Sequence, residues 1–207
     1  MTDAPIRLLL ADDQALVRGA LAALLDLEAD LTVVAQVGRG DEVLHAAREH
    51  RADVALLDVE MPGLDGIAAA AELRHRLPAC RSLIVTTFGR PGYLRRALDA
   101  GASGFVVKDT PAEQLADAVR RVHRGLRVVD PELAVESLAV GSSPLTDRER
   151  DVLVSAAGGG TVADIARETF LSEGTVRNYL SSAMGKTGGR TRAEAVRLAQ
   201  EHGWLLG

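Results

Sequence analysis

Residues 6–122 alternate five times between a short apolar run and a longer segment with apolar residues at helical spacing. The apolar runs predict strands at residues 6–11, 31–37, 53–58, 82–86 and 104–107. The intervening segments predict helices at residues 14–26, 41–50, 67–77, 93–100 and 112–123. In the first helix the apolar spacing rests on Leu16, Ala20, Ala23, Leu24 and Leu27. Right-handed crossovers place such helices on both faces of one sheet, so the pattern predicts a flavodoxin-like, doubly wound α/β domain with five parallel strands.

The stretch from Asp53 to Gly66, DVALLDVEMPGLDG, marks a functional position within this pattern. Its apolar run ends at Asp58 and is followed by Pro62 and Gly63, which is typical of a strand buried on both faces and stopped by a turn. Ligands bind open α/β sheets at the carboxyl ends of the strands. We therefore expect Asp58 to lie at the edge of the sheet where chemistry takes place.

Four further polar residues end other predicted strands at this edge, namely Asp12, Asp13, Thr86 and Lys108. Any one of them alone is most simply a helix cap or a solvated turn residue, so it is their joint placement that indicates a site. Three converging carboxylates repel one another unless a cation lies among them, and hard oxygen ligands favour Mg2+. Bound Mg2+ would neutralise phosphoryl oxygens while Asp58 attacks phosphorus, and Lys108 and the Thr86 hydroxyl would contact the same oxygens.

Amino-acid composition indicates the cellular compartment of the protein but says little about its binding partners. The chain has 207 residues, 47% of them hydrophobic, which is enough for one large or two small cores. Its single cysteine, Cys80, excludes a disulfide framework and a CxxC metal motif and fits a reducing compartment. The N-terminal apolar run is too short for a signal peptide or a membrane span, so we expect a cytoplasmic protein without a membrane partner. The net charge of -5 excludes no class of partner.

Residues 124–143 lose the alternation and are interpreted as a linker with one helical segment at residues 131–140. The turn-forming residues of this linker are Pro131, Gly141, Ser142 and Ser143. It separates a first domain at residues 1–123 from a second at residues 144–207. Four short helices are predicted in the second domain, after capping residues at Thr146, Thr161, Ser172 and Thr191.

The third of these helices follows a tight turn and carries the candidate recognition surface of a helix-turn-helix. Val176 and Leu180 are four residues apart and pack inward, as do Ile165 and Ala166 of the preceding helix. The residues left for a DNA groove are Thr175, Arg177, Asn178, Tyr179 and Ser181. Arg pairs with guanine and Asn with adenine, which is the chemistry of major-groove recognition.

Charge supports DNA binding only locally. Residues 144–207 contain eight basic and eight acidic residues, but Lys186, Arg190 and Arg192 cluster beyond the recognition surface. Such cations position a duplex through its phosphates without distinguishing its bases. A small helical interaction module with a solvated charged face is the alternative that composition leaves open.

The first domain resembles a two-component receiver in the motifs LLLADD, LLDVEMPGLDG, IVTT and GFVVKD. The resemblance implies that Asp58 is the phosphoacceptor, that Asp13, Asp58 and the backbone carbonyl of Glu60 bind Mg2+ directly, and that Asp12 acts through water. It also implies that Thr86 and Phe105 form the switch, with the hydroxyl closing on the phosphoryl group while the aromatic ring turns inward.

The second domain resembles the LuxR-type helix-turn-helix in LTDRERDVL, DIARETFLSEGTVRNYLSSAMGKT and RTRAEAVRLA. Together the two domains resemble a NarL/FixJ-family response regulator, and GTVRNYLS and the ending EHGW are similar to its DesR branch, whose members respond to membrane state. The resemblance implies a sensor histidine kinase as phosphoryl donor and a double-stranded DNA operator as target. Phosphorylation is expected to favour a homodimer, through either the first and fifth or the fourth and fifth receiver helices.

Two departures from the family pattern are visible. Thr87 stands where a small residue is usual, and we expect it to slow access to the phosphoryl group, so that Thr87→Ala would change the phosphorylation and dephosphorylation rates. The sequence GKTGG at residues 185–189 lacks an apolar residue and is expected to loosen the end of the recognition helix.

Two alternative functions remain open to the sequence. An aspartyl-phosphate phosphatase would use Glu60, two residues after the nucleophile, as general acid, but such enzymes carry the nucleophile on their first strand. A DNA-binding regulator that ignores phosphorylation is the other alternative, against which the intact Asp12, Asp13, Thr86 and Lys108 argue.

Overall fold

The computed structural model describes residues 4–87, 91–130, 133–134 and 143–205. Clustering of the backbone divides the chain into two units, one of residues 1–89 and 94–134 and one of residues 90–93 and 135–207, and each has its own hydrophobic core. The main division follows residue 134. This division falls within the stretch interpreted as a linker. The helical segment predicted at residues 131–140 lies outside the described residues except for residues 133 and 134. No helix in the described ranges is long and apolar enough to cross a lipid bilayer.

A parallel sheet with strand order β2-β1-β3-β4-β5-β6 forms the centre of the first unit. Its strands within the described residues are β1 Ile6–Ala11, β2 Leu31–Val37, β3 Val54–Leu57, β4 Arg81–Thr86, β5 Gly104–Val107 and β6 Val128–Val129. β3 is buried along its whole length, because helices cover both faces of a parallel sheet. The doubly wound fold is thereby confirmed.

The prediction of five strands was one strand short. β6 adds to the outer edge of β5, with Val128 opposite Gly104 and Val129 opposite Phe105. It lies inside residues 124–143, and two consecutive valines are too few to show a strand periodicity in the sequence. The sheet therefore extends into the segment that was interpreted as a linker.

Five α-helices alternate with these strands in the described residues before residue 124. They are α1 Ala15–Leu25, α2 Val43–Glu49, α3 Gly66–Arg76, α4 Pro91–Asp99 and α5 Ala112–His123. A 3-10 turn at Gly40–Glu42 precedes α2, so the predicted helix at residues 41–50 is only partly α-helical. The other four follow the predicted bounds to within two residues.

The apolar spacing of α1 marks its exposed face. Ala22 and Leu25 are the buried residues of this helix. By contrast, the side chains of Leu16 and Leu27 are 87% and 80% exposed. We define the α1 stripe as the five exposed residues Leu16, Ala20, Ala23, Leu24 and Leu27. The periodicity thus predicted the helix correctly, but it did not identify the face that packs on the sheet.

Four helices lie in the described residues from 143 to 205, as predicted. They are α6 Asp147–Ala157, α7 Val162–Thr169, α8 Glu173–Thr187 and α9 Arg192–Glu201. Each begins after the expected capping residue, whose side-chain oxygen accepts a backbone N–H of the first turn. The predicted inward residues of the helix-turn-helix are all buried, namely Ile165, Ala166, Val176 and Leu180.

Candidate functional site

Three carboxylates meet at the carboxyl edge of the sheet. Asp12 and Asp13 follow β1, Asp58 follows β3, and one oxygen from each lies within 4.8 Å of the others. They converge because β1 and β3 are neighbours whose last residues, Ala11 and Leu57, stand opposite each other. Asp12 and Asp58 are buried, whereas Asp13 is exposed. A cluster of hard oxygen donors with one side open to solvent fits Mg2+.

Lys108 enters this cluster from the end of β5. Its Nζ lies 2.7 Å from Asp12 Oδ2 and 3.0 Å from Asp58 Oδ2, and the side chain is only 8% exposed. The backbone N–H of Lys108 donates to the Thr86 carbonyl at 2.8 Å, which fixes the residue beside β4. The other Asp58 oxygen, Oδ1, accepts the backbone N–H of Val59 at 2.8 Å. Both oxygens of the Asp58 carboxylate are therefore held.

Burial and neighbouring charge have opposite effects on the pKa values of Asp58 and Lys108. Burial raises the pKa of Asp58, and the hydrogen bond and charge of Lys108 offset that rise only in part. Burial alone would lower the pKa of Lys108, but its hydrogen bonds to Asp12 and Asp58 outweigh burial and raise it. Lys108 consequently stays protonated beside Asp12 and Asp58.

Thr86 and Phe105, the predicted switch residues, are both buried. Thr86 is the last residue of β4 and is 3% exposed, so its hydroxyl lies at the same edge of the sheet as Asp58. Phe105 is fully buried in β5, between Ile84 of β4 and Val129 of β6. Its ring thus lies inside the unit in this structure. Glu60 and Thr87 are exposed next to the edge.

Two further residues support the site and were not singled out in the sequence. A Cβ atom on Gly66 would lie 1.9 Å from the carbonyl oxygen of Asp58, so α3 can approach Asp58 only because its first residue is glycine. The Arg18 guanidinium donates to the carbonyl of Asp12 and holds the loop after β1. The Asp65-Gly66 pair was the signal in the sequence that could have identified Gly66. No sequence motif points to Arg18.

The exposed side of α8 carries the predicted base-contacting residues. Arg177, Asn178 and Ser181 are exposed, and Thr175 and Tyr179 are half-buried. Arg177 pairs with Glu173 one turn earlier on the same helix. Beyond α8, the Arg190 side chain is 92% exposed, whereas Arg192 donates to the Gly160 carbonyl at 2.7 Å. The surface therefore offers polar donors and at least one highly exposed cation.

Lys186 is held by a buried carboxylate on another helix. Its Nζ lies 2.7 Å from Oε2 of Glu149, a residue of α6 that is 4% exposed. Glu149 Oε1 also accepts the hydroxyl of Ser182 at 2.6 Å. Glu149 lies three residues after the predicted capping residue Thr146, and no signal in the sequence indicated its contact with α8.

Two family models together account for most of the chain. The model of the response regulator receiver domain matches residues 8–120, the unit that holds Asp58 and Lys108. The model of the bacterial regulatory proteins of the luxR family matches residues 143–199, the unit that holds α8. The chain belongs to the NarL/FixJ family of response regulators. It is therefore a DNA-binding transcriptional regulator of the two-component type, and not an enzyme of metabolism.

Curated relatives align with this response regulator over nearly their whole length. Transcriptional regulatory protein YvfU of Bacillus subtilis is 45% identical, with 97% of this chain and 100% of the relative aligned. DesR of the same organism is 42% identical, with 97% and 99% aligned. Response regulator RamR of Streptomyces coelicolor is 41% identical, with 96% and 98% aligned.

Solved structures give the same picture of this response regulator. The response regulator ChrA of a heme-sensing two-component system is 32% identical with a TM-score of 0.60, and 96% of this chain and 98% of that chain align. The RcsB–DNA complex has a TM-score of 0.66 over 95% of this chain and 98% of that chain, at 24% identity. The second match supports the fold alone.

Proposed function

We propose that a sensor histidine kinase phosphorylates Asp58, and that the phosphorylated regulator forms a homodimer and binds an operator in double-stranded DNA. The observation that carries this proposal is the contact of Lys108 Nζ with Asp12 and Asp58, at 2.7 and 3.0 Å. It places a nucleophilic carboxylate, a protonated amine and an acidic cation site together at one edge of the sheet. The relatives support the proposal because they are named as transcriptional or response regulators.

Asp58 is the nucleophile of the proposed transfer. One of its oxygens attacks the phosphorus of a phosphohistidine, a P–O bond forms, the P–N bond breaks, and the electron pair passes to the imidazole nitrogen. The ammonium group of Lys108 and the hydroxyl of Thr86 contact the transferred oxygens. Asp12, Asp13, Asp58 and the Glu60 carbonyl are the groups that would hold Mg2+ at this edge. When bound, Mg2+ neutralises part of the negative charge on those oxygens.

The proposed conformational switch at Thr86 and Phe105 depends on contacts with the same phosphoryl group. Closure of the Thr86 hydroxyl on the phosphoryl group moves the end of β4, and Phe105 of the neighbouring strand adjusts its packing. Because Phe105 stands opposite Val129 of β6, a shift of β5 also reaches the first residues of the linker. This gives phosphorylation a path through paired backbone from the site toward the second unit.

The α1 stripe is the surface that we assign to the homodimer. Leu16 of α1 and Leu27, two residues past the end of α1, are among the few large apolar side chains exposed in the described residues. A two-fold axis brings identical surfaces of two protomers into contact, so the α1 stripe of one protomer can pack against the α1 stripe of the other. This assignment favours the first helix among the alternatives that the sequence left open. The outer edge of β5 is already paired with β6.

DNA recognition is assigned to the outward side of α8. Asn178 and Arg177 are placed to read base edges, and the other proposed contacts are Thr175, Tyr179, Ser181, Arg190 and Arg192. A dimer presents two copies of α8 to half-sites about one helical turn apart, which converts weak binding of one domain into specific binding.

Mass spectrometry of the intact protein tests the chemical step. Wild type incubated with a phosphorylated histidine kinase and Mg2+ is expected to gain one phosphoryl group, and Asp58→Ala none. Asp117→Ala, which changes an exposed aspartate of α5, is the matched control and should behave as wild type. Phosphorylation of Asp58→Ala to the wild-type level would contradict the assignment. Repeated turnover of small phosphate esters would instead favour the phosphatase.

A further inference from the structure

Glu149 is a buried carboxylate with an unusually complete set of donors. Its side chain is 5% exposed, although it is the third residue of α6 and belongs to a capping box that normally lies at the surface. Oε2 accepts the Thr146 backbone N–H and Lys186 Nζ, both at 2.7 Å, and Oε1 accepts the Ser182 hydroxyl at 2.6 Å. The beginning of α6 is therefore tied to two residues of α8.

The pKa of Glu149 is consistent with a stable contact between Glu149 and α8. Burial alone would raise the pKa of Glu149, but the hydrogen bonds from Lys186, Ser182 and Thr146 outweigh burial and lower it to about 2. Glu149 thus remains ionised under all ordinary conditions. An ionised and buried carboxylate is stable only while its donors stay in place, so the contact restricts the position of α8 relative to α6.

Ser182 and Lys186 are one helical turn apart and lie along one flank of α8. On one side of this flank is the apolar face with Val176, Leu180 and Ala183, and on the other is the exposed face with Asn178 and Ser181. Apolar packing is non-directional and tolerates rotation of a helix about its axis. Two hydrogen bonds along one flank are directional and remove that freedom.

We infer that Glu149 is a positioning residue for DNA recognition, which sets the rotation of α8 through Ser182 and Lys186 so that Arg177 and Asn178 face the bases. This inference rests on the proposed function of α8. It also assigns Lys186 to the contact with Glu149 rather than to a DNA phosphate. Lys186 was grouped with the phosphate-contacting cations in the sequence, where its partner on α6 could not be seen.

The two roles of Lys186 predict different binding data. A cation that neutralises a phosphate contributes about one unit to the slope of log affinity against log salt, for any DNA sequence. A residue that orients the helix changes base contacts instead, so its loss lowers the ratio of specific to non-specific affinity and leaves the salt slope unchanged. Arg190, whose side chain is 92% exposed, provides the comparison for a phosphate contact.

The test uses the full-length phosphorylated protein and two duplexes. One duplex is selected by the wild type from a random-sequence pool, and the other is a shuffled sequence of the same composition. Glu149→Ala and Lys186→Met are expected to lower the affinity ratio about tenfold, as for the loss of one good base contact, without changing the salt slope. Glu149→Gln keeps the capping box and should recover part of the ratio. Arg190→Gln should lower the slope by about one and keep the ratio.

Fluorescence of Trp204, the single tryptophan, shows whether each variant remains folded in the second unit. If Glu149→Ala does not fold, Glu149→Gln and Lys186→Met decide the result. An unchanged affinity ratio in the folded variants would overturn the inference, as would a Lys186→Met salt slope lowered by about one. Failure of the wild type to bind any duplex would instead remove the proposed function, and the inference with it.

Discussion

Lys108 and Asp58 are fifty positions apart in the sequence, yet Lys108 Nζ donates to Asp58 Oδ2 at 3.0 Å. The same ammonium group lies 2.7 Å from Asp12, and all three side chains are less than 10% exposed. One cation at the end of β5 therefore balances two buried carboxylates at the ends of β1 and β3. In the proposed mechanism, it exchanges part of this contact for the phosphoryl oxygens when Asp58 is modified.

Removing the charge of Lys108 should slow the phosphorylation of Asp58. We predict that Lys108→Met lowers the rate of Asp58 phosphorylation on the order of a hundredfold, as expected when a preorganised donor is lost. Rapid-quench measurement with a phosphorylated kinase checks this rate. Lys108→Arg keeps the charge in another geometry and should lie between wild type and Lys108→Met. Equal rates in all three proteins would disprove the assigned role.

Charge on the α1 stripe should prevent dimers without affecting phosphorylation. The variant Leu16→Glu/Leu27→Glu places two carboxylates on a surface that meets its own copy, so like charges would be buried against each other. Analytical ultracentrifugation of the phosphorylated protein is expected to show a monomer. Leu126→Glu alters another exposed leucine of the first unit, far from α1 in sequence, and is the control that should still dimerise. Dimers of unchanged strength in the double variant would rule out this surface.

Two glycines at the end of α8 should respond to alanine in opposite ways. A Cβ on Gly185 meets no atom within 4 Å and the residue is helical, so Gly185→Ala should stabilise the second unit by about 0.5–1 kcal/mol. Gly188 ends the helix with φ of +76°, so Gly188→Ala should destabilise it by about 1 kcal/mol. Thermal unfolding followed by Trp204 fluorescence measures both changes. Destabilisation by Gly185→Ala would show that the helix does not extend through this position as described.

Acid should weaken the second unit through Glu149. Because the folded-state pKa of Glu149 is lowered to about 2, its contribution to stability is complete above the ordinary carboxyl range and is lost as the pH falls from about 4.5 toward 2. Urea unfolding followed by Trp204 across this range should show the loss in wild type. The loss should be smaller in Glu149→Gln, whereas Glu201→Gln, at an exposed carboxylate, should match wild type. The same pH dependence in all three proteins would contradict this role.

The sheet and the cluster of charged side chains at its carboxyl edge could be predicted because their signals are local. Each strand ends in a short polar motif, and parallel pairing brings Asp12, Asp58 and Lys108 to one edge whatever the details of packing. The bounds of the helices follow from capping residues such as Thr146 and Ser172, which also act within one turn.

Features that depend on distant partners were not visible in the same way. The face of α1 that packs on the sheet is chosen by Ala22 and Leu25, because the alternating leucines give two apolar sides and only tertiary contacts select one. β6 exists because β5 offers an unpaired edge, not because two valines favour a strand alone. The burial of Glu149 likewise depends on Lys186, thirty-seven residues away.

The most direct test of the account compares wild type with Asp58→Ala at one fixed salt concentration, with and without a small phosphoryl donor and Mg2+. Sedimentation reports the oligomeric state, and titration with the selected duplex reports DNA affinity. The account predicts that the donor produces dimers and tightens binding in wild type only. Equal dimerisation and equal affinity of the two proteins, with or without the donor, would contradict control through Asp58 and leave the receiver as a scaffold.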